Sequence, residues 1–203
     1  MPEPTRSMSV TEAIHARHAV RSYAPTPLDE ATVRALLDAA VHAPTAIHLE
    51  PWAFVVVQDR KLLRQISDRA KALIASETSN RPPHVASTMP AASAFVQMLA
   101  RPDFNLFYDA GTLIVICARP LSDFVVADCW LAAENLMLAA CAMGLGSCVI
   151  GAALRALSLD EVKADLGIPR EVTPIAPIIL GVPDVTAIVP TPRRPPEILA
   201  WKK

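Results

Sequence analysis

Apolar residues recur at helical spacing early in the chain and give way to unbroken apolar runs further on. Ser9-Val10-Thr11-Glu12 has the form of a capping box, in which serine and glutamate side chains each accept from the other's backbone amide. It predicts a short helix from Val10 to about Arg17. Pro25 and Pro27 then break the chain. Asp29 is placed to cap a second helix whose apolar positions Val33, Leu36, Leu37, Ala40 and Val41 share one face, and Pro44 closes it. Trp52 to Val57 is continuous aromatic and β-branched sequence and predicts a strand. Asp59 opens a helix carrying Leu62, Leu63, Ile66, Leu73 and Ile74. Residues 76–90, with Pro82-Pro83, predict a loop of the length that often covers a site, and Ala91 to Ala100 predicts a short apolar helix. Thr112 to Ala118 is the clearest strand. Asp123 to Met143 reads as a helix apolar on nearly every side and stopped by Gly144, a pattern that belongs in the middle of a domain or between subunits. A short strand from Ser147 to Ile150 follows. Ser158-Leu159-Asp160-Glu161 reads as a second capping box, for a helix ending at Gly167, and Ile175 to Leu180 is the last strand. Pro190 to Lys203 is a proline-rich arm with too few apolar residues to build a core of its own.

Strands alternating with helices, with no repeat and no linker, give an α/β or α+β architecture. A single domain over residues 1–203 is expected, with a C-terminal arm from about 184 to 203. Composition narrows the function classes. Apolar residues make up 52% and charged residues 19%, enough to bury a core, which excludes a disordered chain. The net charge of -1, from 19 basic and 20 acidic side chains, lacks the basic excess of a nucleic-acid binder. Charges or prolines interrupt the apolar runs before the roughly 20 residues of a membrane span, and Met1 to Ser9 has no apolar leader segment, so a soluble, cytoplasmic chain is expected. Only 6 glycines against 19 prolines argue against glycine-fingerprint nucleotide binding and for long ordered connections and extended arms. Cys117, Cys129, Cys141 and Cys148 show no CxxC spacing and have apolar neighbours, which predicts buried, reduced thiols. The five histidines form no ligand ladder, so no metal site is expected.

Four segments carry candidate chemistry. In Arg17-His18-Ala19-Val20-Arg21 the two arginines stand four apart, so on a helical turn both guanidinium forks would project to one side and suit a phosphate. The loop from Ala43 to Phe54 can present Thr45 and His48 to a ligand, its shape fixed by Pro51-Trp52. Gly144-Leu145-Gly146-Ser147 follows a helix, whereas a dinucleotide fingerprint needs strand, glycines and then helix. Gly151 reads instead as a point where backbone approaches something flat with its amide free to donate. Arg193 and Arg194 lie between prolines in a stiff arm suited to reaching a phosphate.

Together these segments resemble the nitroreductase family of FMN-dependent oxidoreductases, over nearly the whole chain from Thr11 to Trp201 and in the family's order. Arg17-His18-Ala19-Val20-Arg21-Ser22-Tyr23 is similar to the family's opening Arg-Arg/His-Ser-x-Arg-x-Phe segment. Ala43-Pro44-Thr45-Ala46-Ile47-His48-Leu49-Glu50-Pro51-Trp52 resembles its Ala-Pro-Ser-x-x-Asn-x-Gln-Pro-Trp loop. The helix from Asn135 into Gly146-Ser147, and the closing Gly181-Val182-Pro183 with Arg193-Arg194-Pro195, match its later elements. The departures are Ala19 where the family often has Ser, His48 where it usually has Asn, and Glu50 where it has Gln.

The resemblance implies an α+β fold: a central mixed sheet flanked by helices, in a homodimer with two FMN sites at its interface. It implies that NADH or NADPH reduces the flavin at N5 and that a nitroaromatic, quinone or similar small-molecule acceptor reoxidises it. Arg17 and Arg193 would hold the phosphate, with Arg21 and Arg194 beside them. His18, Ala19, Thr45 and His48 would line the cofactor, and a backbone amide in Val149-Ile150-Gly151 would donate to N5. His48 next to a flavin or acceptor edge would add a group whose free form titrates near pH 6.5. The altered His48 and Glu50 also admit a flavin-binding sensor, or a biosynthetic enzyme that is not a reductase, on the same fold.

Overall fold

Both halves of the first capping box form: Ser9 N donates to Glu12 Oε2 at 2.7 Å and Glu12 N to Ser9 Oγ at 3.2 Å, starting α1 (Val10–Ala16). The computed structural model describes residues 8–79, 90–184 and 192–203. Asp29 caps α2 (Glu30–Val41) by accepting from Thr32 N at 2.9 Å. There follow β1 (Trp52–Val57), α3 (Arg60–Ser79), α4 (Pro90–Leu99), β2 (Thr112–Ala118), α5 (Val125–Ala142), β3 (Gly146–Val149), α6 (Leu154–Leu157), α7 (Asp160–Asp165) and β4 (Thr173–Gly181).

The sheet runs in the order β1-β2-β4-β3 with every pairing antiparallel. The parallel component of the expected mixed sheet is an isolated bridge between Ala19 and Ser147. Helices cover both faces, so β2 is buried along its whole length. Its residues alternate between two cores, as side chains on a strand must. Leu113, Val115 and Cys117 join the core that holds Leu63 and Ile66 of α3 and Leu157 of α6; Ile114 and Ile116 join Leu36 of α2 and Leu136 of α5. β4 begins at Thr173, two residues before the expected start. Its Pro174 has no amide to offer a sheet ladder, and it sits where the register against β2 shifts, at a bulge that tolerates this.

Two expectations need correction. The loop predicted for residues 76–90 starts later, because α3 continues to Ser79 and Ser76 Oγ bonds back to Leu73 O at 2.8 Å. Residues 80–89 lie outside the described residues. Ser158 does not cap α7: it ends α6, its Oγ donating to Leu154 O at 2.7 Å, and Leu159 takes the cap position. With its hydroxyl bonded back into α6, Ser158 is not available to accept from the first turn of α7. The longest apolar helix among the described residues, α5, is 18 residues long with mean hydropathy 1.5, long and apolar enough by length and composition to cross a membrane, and Asp128 and Glu134 interrupt it as the sequence reading expects. Within the fold it is a core helix, with Cys129, Ala132, Ala133, Leu136 and Ala140 fully buried.

All four cysteines are free; Cys117, Cys129 and Cys148 are buried and Cys141 is half-buried. Burial pushes the Cys117 thiol up to about 11 and the Cys129 thiol to about 12. The arm from 192 to 203 has no helix or strand and is exposed throughout, with Leu199 90% and Trp201 75% accessible.

Candidate functional site

α1 stops at Ala16, and Arg17, with φ -59° and ψ 127°, turns the chain out of the helix. From there the backbone runs along the end of β3 and past β4. Val20 N donates to Ser147 O at 3.0 Å, Ala24 N to Val182 O at 2.9 Å and Asp184 N to Ser22 O at 3.1 Å, while Tyr23 OH donates to Val20 O at 2.7 Å. Arg17 and Arg21 therefore do not share a helical turn; pairing with Ser147 and Val182 draws the segment out. Glycine makes the approach possible, since a Cβ on Gly146 would stand 2.8 Å from Val20 Cβ.

This segment forms one wall of a cleft of about 190 Å³ lined by Arg17, His18, Cys141, Gly144, Ser147 and Pro183 among others. Arg17 is mostly enclosed, its side chain 23% accessible, and its Nε lies 3.3 Å from Glu134 Oε1 on α5. His18 Nδ1 sits 2.9 Å from Ala16 O, so Nδ1 carries the proton of that bond. Arg21 is exposed and faces Tyr108 and Cys148. Burial raises the Cys148 thiol, and Arg21, then Arg17, pull against that rise; burial raises Tyr108 too, again opposed by Arg21. The two arginines thus act on a common neighbourhood, although they are not stacked on one helix.

The loop after α2 carries the second set. Ala46–His48 form a single 3-10 turn in which Ile47 (φ 48°) and His48 (φ 57°) adopt the left-handed conformation, as does Glu50 (φ 44°). Each such non-glycine residue costs on the order of 1–3 kcal/mol and persists only where its surroundings hold it. Two anchors are visible: Ala46 N donates to Asp128 Oδ1 at 3.3 Å, and Arg119 N donates to Pro51 O at 2.8 Å. Asp128, on α5, is 4% accessible, and its Oδ2 is buried without a partner among the described residues. Thr45 is half-buried, His48 and Glu50 are exposed, and Ile47 holds an apolar side chain 83% in solvent.

Val149 ends β3, half-buried. Ile150 N donates to Pro177 O at 2.8 Å, so of the amides expected to serve a ligand in Val149-Ile150-Gly151 this one is already engaged. Gly151 is open, with nothing within 4 Å of where its Cβ would be. Arg193 and Arg194 lie on the exposed arm, and among the described residues neither makes a hydrogen bond or ion pair. The structure thus brings Arg17 and His18 together with Ser147, sets Ala19 in a bridge to Ser147, and leaves Arg193 and Arg194 apart. Glu134 and Asp128 were missed by sequence reasoning. Their one signal is an acidic residue inside an otherwise apolar helix. No group of three or more metal-ligating side chains occurs among the described residues.

The family model for the nitroreductase family matches residues 14–182. The chain belongs to the nitroreductase family. A relative from Archaeoglobus fulgidus, named provisionally as an NADH dehydrogenase/NAD(P)H nitroreductase, is 31% identical over 175 residues, covering 84% of this chain and 83% of the relative. The chain also superposes on the FMN-bound nitroreductase of Bacteroides fragilis, with TM-score 0.78, 24% identity, and 96% and 99% of the two chains covered. Its fold is shared with an iodotyrosine deiodinase bound to FMN and 3-iodo-L-tyrosine, at TM-score 0.69 and 20% identity over 96% and 98% of the chains.

Proposed function

We propose that this member of the nitroreductase family is an FMN-dependent oxidoreductase that takes electrons from NADH or NADPH and passes them to a small nitroaromatic, quinone or similar acceptor. The observation that carries the reading is the cleft in which Arg17, His18 and Ser147 meet. A partly enclosed guanidinium beside an imidazole and a hydroxyl is a donor set for a phosphate ester, so these residues fit the phosphate end of FMN. When bound, FMN supplies the hydride and electron transfer between the two substrates.

The protein's own groups then bind and orient. Arg17 holds the phosphate, joined by Arg193 when the arm lies against the cleft, with Arg194 beside it. Arg21 places positive charge that favours negative charge on the bound ring. Gly151, open to solvent, offers its amide as donor to the ring edge. Thr45 and His48 face the acceptor side from a loop whose left-handed turn exposes Ile47 to a ligand or partner. The active form is a homodimer. Among the described residues β1 pairs with β2 alone, Val10 and Ile14 of α1 are exposed, and so are Ile198, Leu199 and Trp201 of the arm, which has no core of its own and needs another surface to lie on.

Steady-state kinetics test the reading. With NAD(P)H and a quinone both varied under anaerobic conditions, alternating half-reactions give parallel double-reciprocal lines. Bound flavin that NAD(P)H does not reduce would instead favour a sensor or a non-reductase enzyme.

A further inference from the structure

We propose that Asp128 is a positioning residue for the acceptor side of the site: from α5 it caps the Ala46–His48 turn and so fixes where Thr45 and His48 stand. The proposal rests on the reading above that these two residues face the acceptor. Thr45 occupies the cap position of the turn, from which a threonine ordinarily accepts from the turn's own amides, yet its side chain makes no such bond. The acceptor comes instead from α5, 82 residues away: Ala46 N donates to Asp128 Oδ1 at 3.3 Å. At the far end Arg119 supplies two bonds, its N donating to Pro51 O at 2.8 Å and its Nη1 to Trp52 O at 3.0 Å. Ile47, His48 and Glu50, all left-handed without being glycine, lie between these two ties. Residues in that conformation persist only where their surroundings hold them.

A carboxylate buried on an apolar helix needs a reason. Its neighbours Cys129, Ala132 and Ala133 are fully buried, and an apolar residue would pack among them without the cost of stripping water from a carboxylate. A place in the first turn of α5 suits a negative charge through the helix dipole, but an exposed position there would serve as well. Asp128 is 4% accessible, its Oδ2 has no partner among the described residues, and its Oδ1 bond leads out of the helix to the turn. The turn is therefore what the buried carboxylate serves. With Asp128 as the cap, the Thr45 hydroxyl is not consumed within the turn.

The test follows the holoenzyme, freed of unbound FMN and reduced with dithionite, in stopped-flow reoxidation by 1,4-benzoquinone. Thermolysin cleavage before Ile47 reports on the turn itself. Asp128→Ala is expected to slow reoxidation about ten- to a hundredfold and to open the Ala46–Ile47 bond to cleavage well below the unfolding temperature. Asp128→Asn keeps an acceptor oxygen and is expected to restore both. Asp128→Ser, too short to reach the amide, is expected to behave as Ala and stands in for it if Ala does not fold. In a Thr45→Ala, His48→Ala background Asp128→Ala adds little to the rate loss. Reoxidation of Asp128→Ala at the wild-type rate, or Asn as slow as Ala, would overturn the proposal. An undiminished effect in the double background would overturn it too, because Asp128 would then serve the core alone. If the wild type takes up no FMN, or quinone does not reoxidise it, the underlying reading fails and the proposal with it. If the wild type turns over and Asp128→Ala is equally fast, only the positioning role fails.

Discussion

The amide of Val20 and the carbonyl of Ser147 meet at 3.0 Å, across the one place where Gly146 lets the N-terminal segment lie against β3. This contact fixes where Arg17 and His18 enter the cleft. Gly146→Ala would drive a Cβ to 2.8 Å from the Val20 side chain, so something must shift. The expected cost is roughly 1–3 kcal/mol, read as a lower urea midpoint, together with weaker FMN binding. An unchanged midpoint would mean that the segment is not held by this contact.

Asp128 supports the strained turn that carries His48. Asp128→Ala removes the acceptor of the Ala46 amide and is expected to cost about 1–3 kcal/mol. Asp128→Asn keeps an acceptor oxygen while removing the carboxylate with an unpartnered Oδ2, and so costs less. Thermal unfolding of the two variants side by side checks the order. If Ala is the milder change, Asp128 does not anchor the loop.

The thiols set an alkaline limit to stability. Burial raises Cys117 to about 11 and Cys129 to about 12, and raises Tyr23 as well. The unfolded chain gives up thiol protons near pH 8.5, before the folded chain does. Stability from these groups is therefore complete below that pH and falls as the pH rises toward the folded values. Urea midpoints across this range should decline on the alkaline side. In the native protein at mildly alkaline pH, iodoacetamide should modify half-buried Cys141 well ahead of Cys117 and Cys129. Rapid native alkylation of either buried thiol would contradict the packing.

β1 and β2 were legible end to end, because their short runs of six and seven residues are rich in β-branched and aromatic side chains and bounded by charges, prolines or glycine. The caps at Ser9 and Asp29 were legible because their partners lie three residues away. At the site, Arg17 and His18 could be picked out by residue type, but their surroundings could not. The left-handed Ile47, His48 and Glu50 have no glycine to announce them, since tertiary contacts at Asp128 and Arg119 hold the turn. The pairing of Arg17 with Glu134 depends on how α1 crosses α5, which no local pattern encodes. That the Ile150 amide is engaged could not be read locally, because its acceptor, Pro177, lies on another strand.

Assembly is the next expectation. A second copy is expected to cover the exposed Ile198, Leu199 and Trp201 and the β1 edge that no strand among the described residues pairs with. Sedimentation at micromolar concentration should give about twice the chain mass of 21.8 kDa. Removal of residues 192–203 should weaken both the dimer and FMN binding, because Arg193 and Arg194 leave with the arm. A single species at the chain mass would contradict the dimer.

The visible spectrum of the purified protein, recorded before and after anaerobic addition of NADH or NADPH, tests the central claim most directly. Bound flavin bands that bleach with the nicotinamide and return when a quinone or nitroaromatic is added are the predicted result. A colourless protein that takes up no FMN when it is supplied would contradict the account.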